Sequence, residues 1–368
     1  MVLRSLSRQL GVVMSWWERL KENGLARWGG MILATLYAIA LFAEFAAPYD
    51  PYESQPDGAL LPPTPIHWRS QSGDWIGPHV YLTTQGAIDI RTGLRSVKID
   101  TDSPAPIRLF VNGASYKFFG IIPSRLHLFG TIGKGRINLL GTDEQARDQL
   151  SRLIYGSRVS LLIGLLGIGI SFPLGLLAGG IAGYFGGWVD AILMRFVEVL
   201  MTVPDIYLLI ALSAVLPQNL DSSQRFFLVT MIISSVRWAG LARVIRGQVL
   251  SIKEREFIQA ARVMGGKPLY IILRHVLPQT ATYVIISATL TIPSFIVAEA
   301  ILSLIGLGIQ QPDPSWGNML SLATNASILV LQPWLVAAPA LLMALTVLAF
   351  NLLGDGLRDV LDPRGVER

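Results

Sequence analysis

Apolar stretches that carry almost no charge recur along the chain and are separated by polar segments. Six of these stretches are long enough to cross a hydrocarbon core of about 30 Å, which takes roughly 20 helical residues. They lie near residues 29–47, 159–183, 191–216, 226–245, 280–305 and 334–353. The pattern therefore predicts an all-α polytopic membrane protein with six transmembrane helices and both termini on the same side.

The polar segments between these stretches define the predicted domain boundaries. The longest of them separates the first two spans and has the turn-rich pattern of a small β domain. The predicted order is a cytoplasmic segment over 1–28, a first transmembrane anchor over 29–47, an extracytoplasmic β-containing insertion over 48–139, an amphipathic interfacial helix over 140–157, a five-helix core over 158–355 that includes a polar loop over 246–278, and a cytoplasmic tail over 356–368.

The insertion contains two strand-like runs around an Asn-Gly pair. Residues 107–111 and 114–118 contain most of the local apolar and aromatic side chains, and Asn112-Gly113 between them readily adopts the positive φ angles of a type I′ turn. We expect a β-hairpin here, with further strands at 79–82 and 97–99.

Residues 142–156 have helical periodicity. Leu150, Leu153 and Ile154 form an apolar stripe. The charged residues of this segment fall elsewhere, and they are Asp143, Glu144, Arg147, Asp148 and Arg152. The pattern predicts a helix that lies at the outer membrane interface and buries its apolar stripe.

Charge is scarce and unevenly distributed. Only 15% of the 368 residues are charged and 52% are apolar, whereas soluble globular chains carry about a quarter charged residues. Basic residues cluster at 1–28 and at 243–278, while 306–333 contains none. Because short cytoplasmic loops are enriched in Lys and Arg, this distribution predicts that the termini and the 246–278 loop are cytoplasmic.

The composition also excludes several kinds of chemistry. With no Cys and four scattered His, the chain has neither disulfides nor Cys-ligated zinc, and we predict no metal site. The chain has no Gly-x-x-x-x-Gly-Lys-Ser/Thr loop, so we expect no ATP and no other cofactor bound to it. The net charge of +5 is explained by basic loops beside lipids, and no basic run with interleaved aromatic residues indicates nucleic acid binding.

The polar stretch over 253–278 is the most informative one. The pattern predicts a helix from Lys253 to Met264, which Gly265-Gly266 ends. Phe257, Ala260, Ala261 and Met264 recur at helical spacing and share one face of this helix. An exposed short helix with small and large apolar residues suits docking to another protein. A helix that rests on the membrane surface fits the same spacing equally well.

This stretch resembles the coupling motif of permease subunits of ATP-binding-cassette (ABC) importers. The motif has Glu-Ala-Ala, three residues, Gly, nine residues, an aliphatic residue, any residue and Leu-Pro. The chain matches this spacing, with Gln259 in place of Glu and with His275 in place of the aliphatic residue, as is usual in the oligopeptide and dipeptide branch. The residues that the resemblance assigns to ATPase coupling are Glu256, Phe257, Gln259, Ala260, Ala261, Arg262, Met264, Gly265, Leu277 and Pro278.

Further segments resemble the same branch, so the resemblance covers nearly all of the chain except about 53–138. These segments are 47–51, 140–156, 183–195, 303–318 and 350–363. The resemblance is to the second-permease type with an enlarged extracytoplasmic insertion. It implies a subunit of a peptide importer in the cytoplasmic membrane of a prokaryote. It also implies partners, namely a homologous second permease, two cytoplasmic ATPase subunits that bind the ATP and an extracytoplasmic solute-binding protein.

Charged residues inside the predicted spans are costly and therefore informative. Arg195 and Glu198 are spaced for a local ion pair. For Asp205 we weigh a buried capping or hydrogen-bonding role against contact with a substrate or ion. For Glu299 we weigh a structural partner against a place in the transport pathway.

Two other classes of protein compete with this interpretation. An ion-coupled secondary transporter or channel needs inverted repeats or a column of membrane acids, and neither is visible in the sequence. A membrane-anchored receptor whose insertion is the functional part does not need a basic helical loop between the fourth and fifth spans. Both alternatives are therefore disfavoured.

Overall fold

Long helices dominate the computed structural model, which describes residues 18–88, 95–118, 120–217 and 219–361. The elements in chain order are α1 (Gly24–Leu41), α2 (Ala43–Ala46), β1 (His67–Arg69), β2 (Trp75–Ile88), β3 (Arg95–Phe118), β4 (Ile122–Thr131), α3 (Gln149–Phe185), α4 (Gly187–Thr202), α5 (Asp205–Ala214), α6 (Ser222–Ile252), α7 (Glu256–Val263), α8 (Pro268–Ile271), a π-helix (Ile272–Val276), a 3₁₀ turn (Leu277–Thr280), α9 (Ala281–Leu304), α10 (Trp316–Leu320), a second 3₁₀ turn (Ser321–Thr324), α11 (Ala326–Leu331) and α12 (Pro333–Leu361).

The chain forms two compact units. The first comprises the described residues of Met1–Ala34, Leu162–Leu302 and Leu345–Arg368, and the second comprises those of Thr35–Leu161 and Ser303–Ala344. The first unit holds most of the spanning helices and the 246–278 loop. The second unit holds the sheet and the polar segments before α3 and after α9.

Five of the described helical segments are long and apolar enough to cross a membrane, and they are α1, α3, α6, the run Pro268–Leu304 and α12. A sixth span exists if α4 and α5, which are bent by 85°, cross as one broken span. Pro204 explains the break, because the residue before a proline is driven to an extended conformation and Val203 has φ −88° and ψ 128°. A polytopic helical protein is thus confirmed, while the count of six depends on the bent pair.

Glycines on one face of α3 allow it to pack closely against α6 within the first unit. They recur every four residues and are Gly175, Gly179 and Gly183. A Cβ on Gly175 would lie 2.9 Å from the carbonyl oxygen of Trp238, and one on Gly183 would lie 2.8 Å from that of Arg246. Small residues at this spacing are the usual means by which membrane helices bring their backbones together.

The second unit contains a four-stranded antiparallel sheet in the order β1-β2-β3-β4. Val80, Ala105 and Ile137 form its small buried core. The strands predicted at 79–82 and 97–99 lie within β2 and β3, which confirms them.

The hairpin turn predicted at Asn112-Gly113 is wrong. β3 continues through these residues, and its pairing with β4 runs to Phe118 and Ile122, beyond which Gly120 adopts a positive φ of 74°. A Cβ on Gly113 would lie 2.7 Å from the ring of His127. Gly113 is therefore explained by close packing across the strands, next to an irregularity in the pairing between Asn112 and Tyr116.

The separate interfacial helix predicted over 140–157 is also wrong. Residues 140–148 form turns and extended chain, and the following helix begins at Gln149 and continues to Phe185. Asp148 caps this helix, since its carboxylate accepts hydrogen bonds from the amide and the hydroxyl of Ser151, both at 2.7 Å. The charged side chains expected to face solvent are mostly buried, because they bond to one another and to a distant segment described below.

Candidate functional site

The 246–278 loop folds around the short helix α7. The chain turns at residues 253–255 after α6, and Arg255 is the extended N-cap residue, with φ −70° and ψ 145°. Glu256 in the first turn and Arg262 in the last turn both complement the helix dipole. The predicted helix start at Lys253 is therefore three residues too early, because the turn after α6 occupies those positions.

The end of α7 follows the prediction from Gly265-Gly266. Gly265 has a φ of +79°, and its amide donates to the carbonyl oxygen of Arg262 at 2.9 Å. The amide of Gly266 donates to the carbonyl oxygen of Ala261 at 3.0 Å. These two bonds form a Schellman motif, which satisfies carbonyl groups that a helix end otherwise leaves without partners.

The inner face of α7 is buried against spanning helices. Ile258 is fully buried and Ala261 nearly so. They belong to an apolar cluster, here called the coupling cluster, whose other members come from α3, α6, α8 and the π-helix: Phe172, Tyr184, Leu241, Ile245, Val249, Ile252, Ile271, Ile272 and Val276. Burial of these side chains fixes the position of α7 relative to the ends of these helices.

The outer face of α7 is apolar and exposed. Phe257 and Met264 have 42% and 81% of their surfaces accessible, and Ala260 between them is exposed. Val263 at the end of the helix is 88% accessible. A patch of this composition on a helix is typical of a surface that binds another molecule.

A polar contact also connects α7 to α3. The Nε of Arg262 donates to the hydroxyl of Tyr184 at 3.2 Å, and its guanidinium lies 4.7 Å from the centre of the same ring. A cation above an aromatic face is attracted by the ring quadrupole. Arg262 therefore reinforces the link that the coupling cluster makes by burial.

An ion pair connects α4 to α6 in the same unit. The guanidinium of Arg246 donates to both carboxylate oxygens of Asp190, at 2.9 and 2.5 Å. This fork-like geometry makes the pair more specific than a single contact.

The Leu277-Pro278 part of the motif lies where the helix changes its winding. The π-helix Ile272–Val276 leads into a 3₁₀ turn that contains Pro278, and a widened turn accommodates a residue that cannot donate an amide. Leu277 and Ile272 pack against Gly180 of α3, where a Cβ would lie 3.2 and 3.3 Å from their side chains. The sequence pattern did not indicate the π-helix.

The structure thus brings most of the predicted coupling residues into one segment, with one correction. Phe257, Ala260 and Met264 share the outer face as predicted. Ala261 does not, because it lies on the inner face beside Ile258. The pattern Phe-Ile-Gln-Ala-Ala has apolar residues on two faces, and only the position of the neighbouring helices decides which face is covered.

A buried ionic network occupies the second unit. The carboxylate of Asp143 forms ion pairs with the guanidinium groups of Arg147, at 2.7 Å, and Arg152, at 3.3 Å. All three side chains are buried. The Nε of Arg147 also donates to Asp143 at 2.9 Å. One carboxylate therefore faces two guanidinium groups away from water, an arrangement that requires further hydrogen bonds to be stable.

Residues from the segment after α9 supply those hydrogen bonds. Gln311 Oε1 accepts from Arg147 at 2.7 Å and from Arg152 at 3.0 Å, and the carbonyl oxygen of Pro312 accepts from Arg152 at 3.0 Å. The side-chain nitrogen Nε2 of Gln311 donates to Oδ1 of Asn318 at 2.9 Å. Sequence reasoning missed this pairing of segments, although the lack of basic residues over 306–333 beside many polar ones was the available signal.

Two family models match the chain. The description "Binding-protein-dependent transport system inner membrane component" matches residues 172–365, and "N-terminal TM domain of oligopeptide transport permease C" matches residues 14–63. The first match covers more than half of the sequence. The chain belongs to the binding-protein-dependent transport system inner membrane components. It is a permease subunit of an ABC importer.

Curated relatives of this permease extend the match over most of its length. The "Dipeptide transport system permease protein DppC" of Bacillus subtilis is 32% identical over 348 residues, which are 95% of this chain and 84% of that protein. The "Oligopeptide transport system permease protein OppC" of Haemophilus influenzae is 42% identical over 62% of this chain and 70% of its own. Among solved structures, an inward-facing MetNI methionine ABC transporter matches at a TM-score of 0.45 and 18% identity, over 58% of this chain and 98% of that one.

Asp205 and Glu299, the two acidic residues of the predicted spans considered for the transport pathway, differ in their burial. Asp205 is half-exposed rather than buried, and it accepts a hydrogen bond from Arg237 of α6 at 3.1 Å. It begins α5 immediately after the break in the bent pair, so this ion pair connects the start of α5 to α6. Glu299 is fully buried in α9.

The pair predicted between Arg195 and Glu198 is present, at 3.4 Å, and is exposed. At this distance and exposure it contributes little to stability. Among the residues that the structure describes, no group of three or more Asp, Glu or His side chains is arranged to hold a metal ion.

Burial also changes the protonation of a group beside the ionic network. It raises the pKa of Asp148 from its ordinary value of 3.8 to about 6, while the hydrogen bonds from Ser151 act in the opposite direction. The charge of Arg136 also lowers this pKa and that of Asp143 raises it. Asp148 therefore changes its charge state near pH 6, where ordinary aspartates are fully ionised.

Proposed function

We propose that α7 contacts the cytoplasmic ATPase subunit and passes its movement to the spanning helices. The observation that supports this most directly is that α7 has two apolar faces. Ile258 and Ala261 are buried within the permease, while Phe257, Ala260 and Met264 are exposed. A short helix with apolar anchors at helical spacing is suited to a groove on another protein.

Transmission follows from the coupling cluster. Ile258 and Ala261 pack with residues of α3, α6 and the π-helix before α9. Because a packed interior shifts as a body rather than deforming continuously, displacement of α7 moves the ends of these helices together. Movement of α7 at the ATPase thereby changes the side of the membrane to which the transport pathway is open.

In this proposal the permease works in a larger complex. Its partners are a homologous second permease, two cytoplasmic ATPase subunits and an extracytoplasmic solute-binding protein. ATP binds to the ATPase subunits, and this chain holds no cofactor. The termini and α7 lie in the cytoplasm of a prokaryote and the sheet lies outside, as the basic residues at 1–28 and 243–278 indicate.

Peptides are the substrate class that we propose. The support is the naming of the relatives, which are oligopeptide and dipeptide transport permeases. Uptake of a labelled dipeptide by cells that carry the complete transporter should be inhibited by unlabelled di- and tripeptides and not by sugars. Inhibition by sugars alone would reject peptides and leave the role of α7 untouched.

The docking role of α7 is tested by polar substitutions on its outer face. Phe257→Ser and Met264→Ser remove exposed apolar anchors without touching the coupling cluster. Since such anchors carry much of the binding energy at an interface, we expect the amount of ATPase that co-purifies with the permease to fall roughly tenfold for the pair. Uptake should fall with it.

The matched control is Ile99→Ser, at a similarly exposed apolar position in β3. It should leave co-purification and uptake unchanged. If the double variant of α7 retains both at the level of the control, α7 is not the ATPase contact, and the alternative of a helix resting on the membrane surface is favoured.

A further inference from the structure

The hairpin of β3 and β4 ends in an apolar tip. Ile121 and Ile122, next to the turn, have 80% and 60% of their surfaces accessible, and Leu109 and Phe110 farther along β3 are also exposed. Hairpin turns are normally polar because they face water. An apolar tip therefore indicates that its environment is not bulk water.

The position of the tip is set by contacts with the end of the first spanning helix. The ring of Phe118, just before the turn, stacks on Phe42 with centroids 5.6 Å apart. The ring of Phe110 stacks on Phe45 at 6.2 Å. Phe42 directly follows α1, and Phe45 lies about one helical turn farther from it, so the hairpin points its tip towards the membrane.

A hydrogen bond holds the hairpin in this orientation. The ring Nδ1 of His127 in β4 lies 2.6 Å from the carbonyl oxygen of Ala47, just after α2, and His127 is buried. The two aromatic stacks and this bond attach β3 and β4 to the segment that leaves the bilayer. The tip is thereby level with the last residues of the span, where the hydrocarbon core gives way to headgroups.

The charge of the hairpin suits that location. Between residues 107 and 131 the sequence contains three basic residues, Arg108, Lys117 and Arg125, and no Asp or Glu. All three side chains are exposed. Basic side chains around an apolar tip complement the phosphate groups and the anionic lipids of a bilayer surface.

We propose that the tip of the β3–β4 hairpin inserts into the interfacial layer of the membrane beside the end of α1. The occupant of this apolar surface is the lipid bilayer, with Ile121 and Ile122 below the headgroups and Lys117 among them. The hairpin holds the β insertion in a fixed orientation on the membrane. This proposal depends on α1 crossing the bilayer and is independent of the role of α7 and of the substrate.

The absence of cysteine from the sequence allows a direct test. The full chain with the single substitution Ile121→Cys is labelled at this cysteine with an environment-sensitive fluorophore. The labelled protein is then reconstituted into nanodiscs of phosphatidylethanolamine and phosphatidylglycerol. Ile99→Cys is the matched control, because Ile99 is also an exposed isoleucine of β3 but lies in the part paired with β2. Neither position is buried, so the fold should tolerate both changes.

We expect the label at position 121 to be quenched at least several-fold more by lipids that carry a nitroxide near the headgroup than the label at position 99. Quenching by aqueous iodide should show the opposite order. Equal iodide quenching at both positions would overturn the proposal. Protection from iodide without quenching by the nitroxide lipids would also overturn it, because the tip would then be covered by protein and not by lipid.

Discussion

At the scale of single residues, the buried ionic network is the least expected feature of the permease. Asp143 faces Arg147 and Arg152, and Gln311 and Pro312 accept further hydrogen bonds from their guanidinium groups. Ions taken out of water are stable only when geometry and hydrogen bonding compensate for lost hydration. Here one carboxylate and two acceptors from a distant segment do so, and the network joins two parts of the chain that are far apart in sequence.

Asp143→Asn should therefore be strongly destabilising. The change leaves two buried guanidinium groups without their carboxylate, at a cost of about 3–5 kcal/mol. Thermal unfolding of the purified permease in nanodiscs measures the loss. Glu53→Gln is the control, since it removes the more exposed pair between Glu53 and Arg136 and should cost less than about 1 kcal/mol. Similar losses in both variants would show that the network is not specially stabilising.

Asp148 makes stability depend on pH. Its folded pKa, about 6, is above the ordinary 3.8, so the unfolded chain loses its proton first as the pH rises. The contribution of Asp148 to the free energy of unfolding is fully present below pH 4, declines between pH 4 and 6, and is lost above the folded pKa. By linkage the decline is about 3 kcal/mol.

Asp148→Asn keeps an acceptor for Ser151 and removes the titration. We expect the unfolding temperature of the variant to exceed that of the wild type increasingly from pH 4 to pH 6, and by a constant amount above pH 7. A difference that does not change with pH across this range would contradict the assignment.

At the scale of elements, the contact between α3 and α6 depends on glycine. The strip of Gly175, Gly179 and Gly183 lets carbonyl groups of α6 lie where Cβ atoms would otherwise be. Membrane helices gain little from burying apolar surface against one another, because lipid is equally apolar. Close backbone packing is therefore the main source of their association.

Gly179→Ala should weaken this contact. A Cβ at position 179 would overlap the carbonyl oxygen of Ala242, and forced overpacking costs about 1–3 kcal/mol. Gly169→Ala is the control on the same helix, because open space surrounds a Cβ there and alanine is the better helix former. Thermal unfolding should show a loss for position 179 and no loss for position 169. A reversed order would reject the strip as a packing surface.

At the scale of the whole molecule, the coupling cluster covers one face of α7 and leaves the other face exposed. The outer face of α7 is available to a partner, while Ile258 on the inner face connects α7 to the spanning helices. If α7 couples ATP hydrolysis to transport as proposed, damage to each face should have a different consequence.

Ile258→Ala should uncouple the two processes. The cavity loosens α7 from the cluster, at a local cost of about 2–5 kcal/mol, but leaves Phe257 and Met264 exposed. We expect the ATPase subunit to bind and to hydrolyse ATP while uptake per ATP falls several-fold. Phe257→Ser, in contrast, should reduce both the binding of the ATPase subunit and uptake. Unchanged uptake per ATP in a folded Ile258→Ala complex would show that the cluster does not transmit movement.

The sequence was most informative where the determinants are local. Gly265-Gly266 ends α7 as predicted because a positive φ is a property of the residue itself. Pro204 separates α4 from α5 for a similarly local reason, because the residue before a proline is driven to an extended conformation. The Asn112-Gly113 prediction failed because the same dipeptide suits a bulge as well as a turn, and pairing with β4 decides between them.

The sequence alone determined that the protein is helical and polytopic, that the loop over 246–278 contains a helix, and which family the motifs belong to. These follow from hydropathy, charge and spacing, which act over a few neighbouring residues. The tertiary structure decided which face of α7 is buried, that residues 140–148 enter a buried ionic network instead of a helix, and that β3 continues through Asn112-Gly113 in its pairing with β4. Each of these depends on contacts between segments far apart in the chain, and such contacts leave no periodic trace in the sequence.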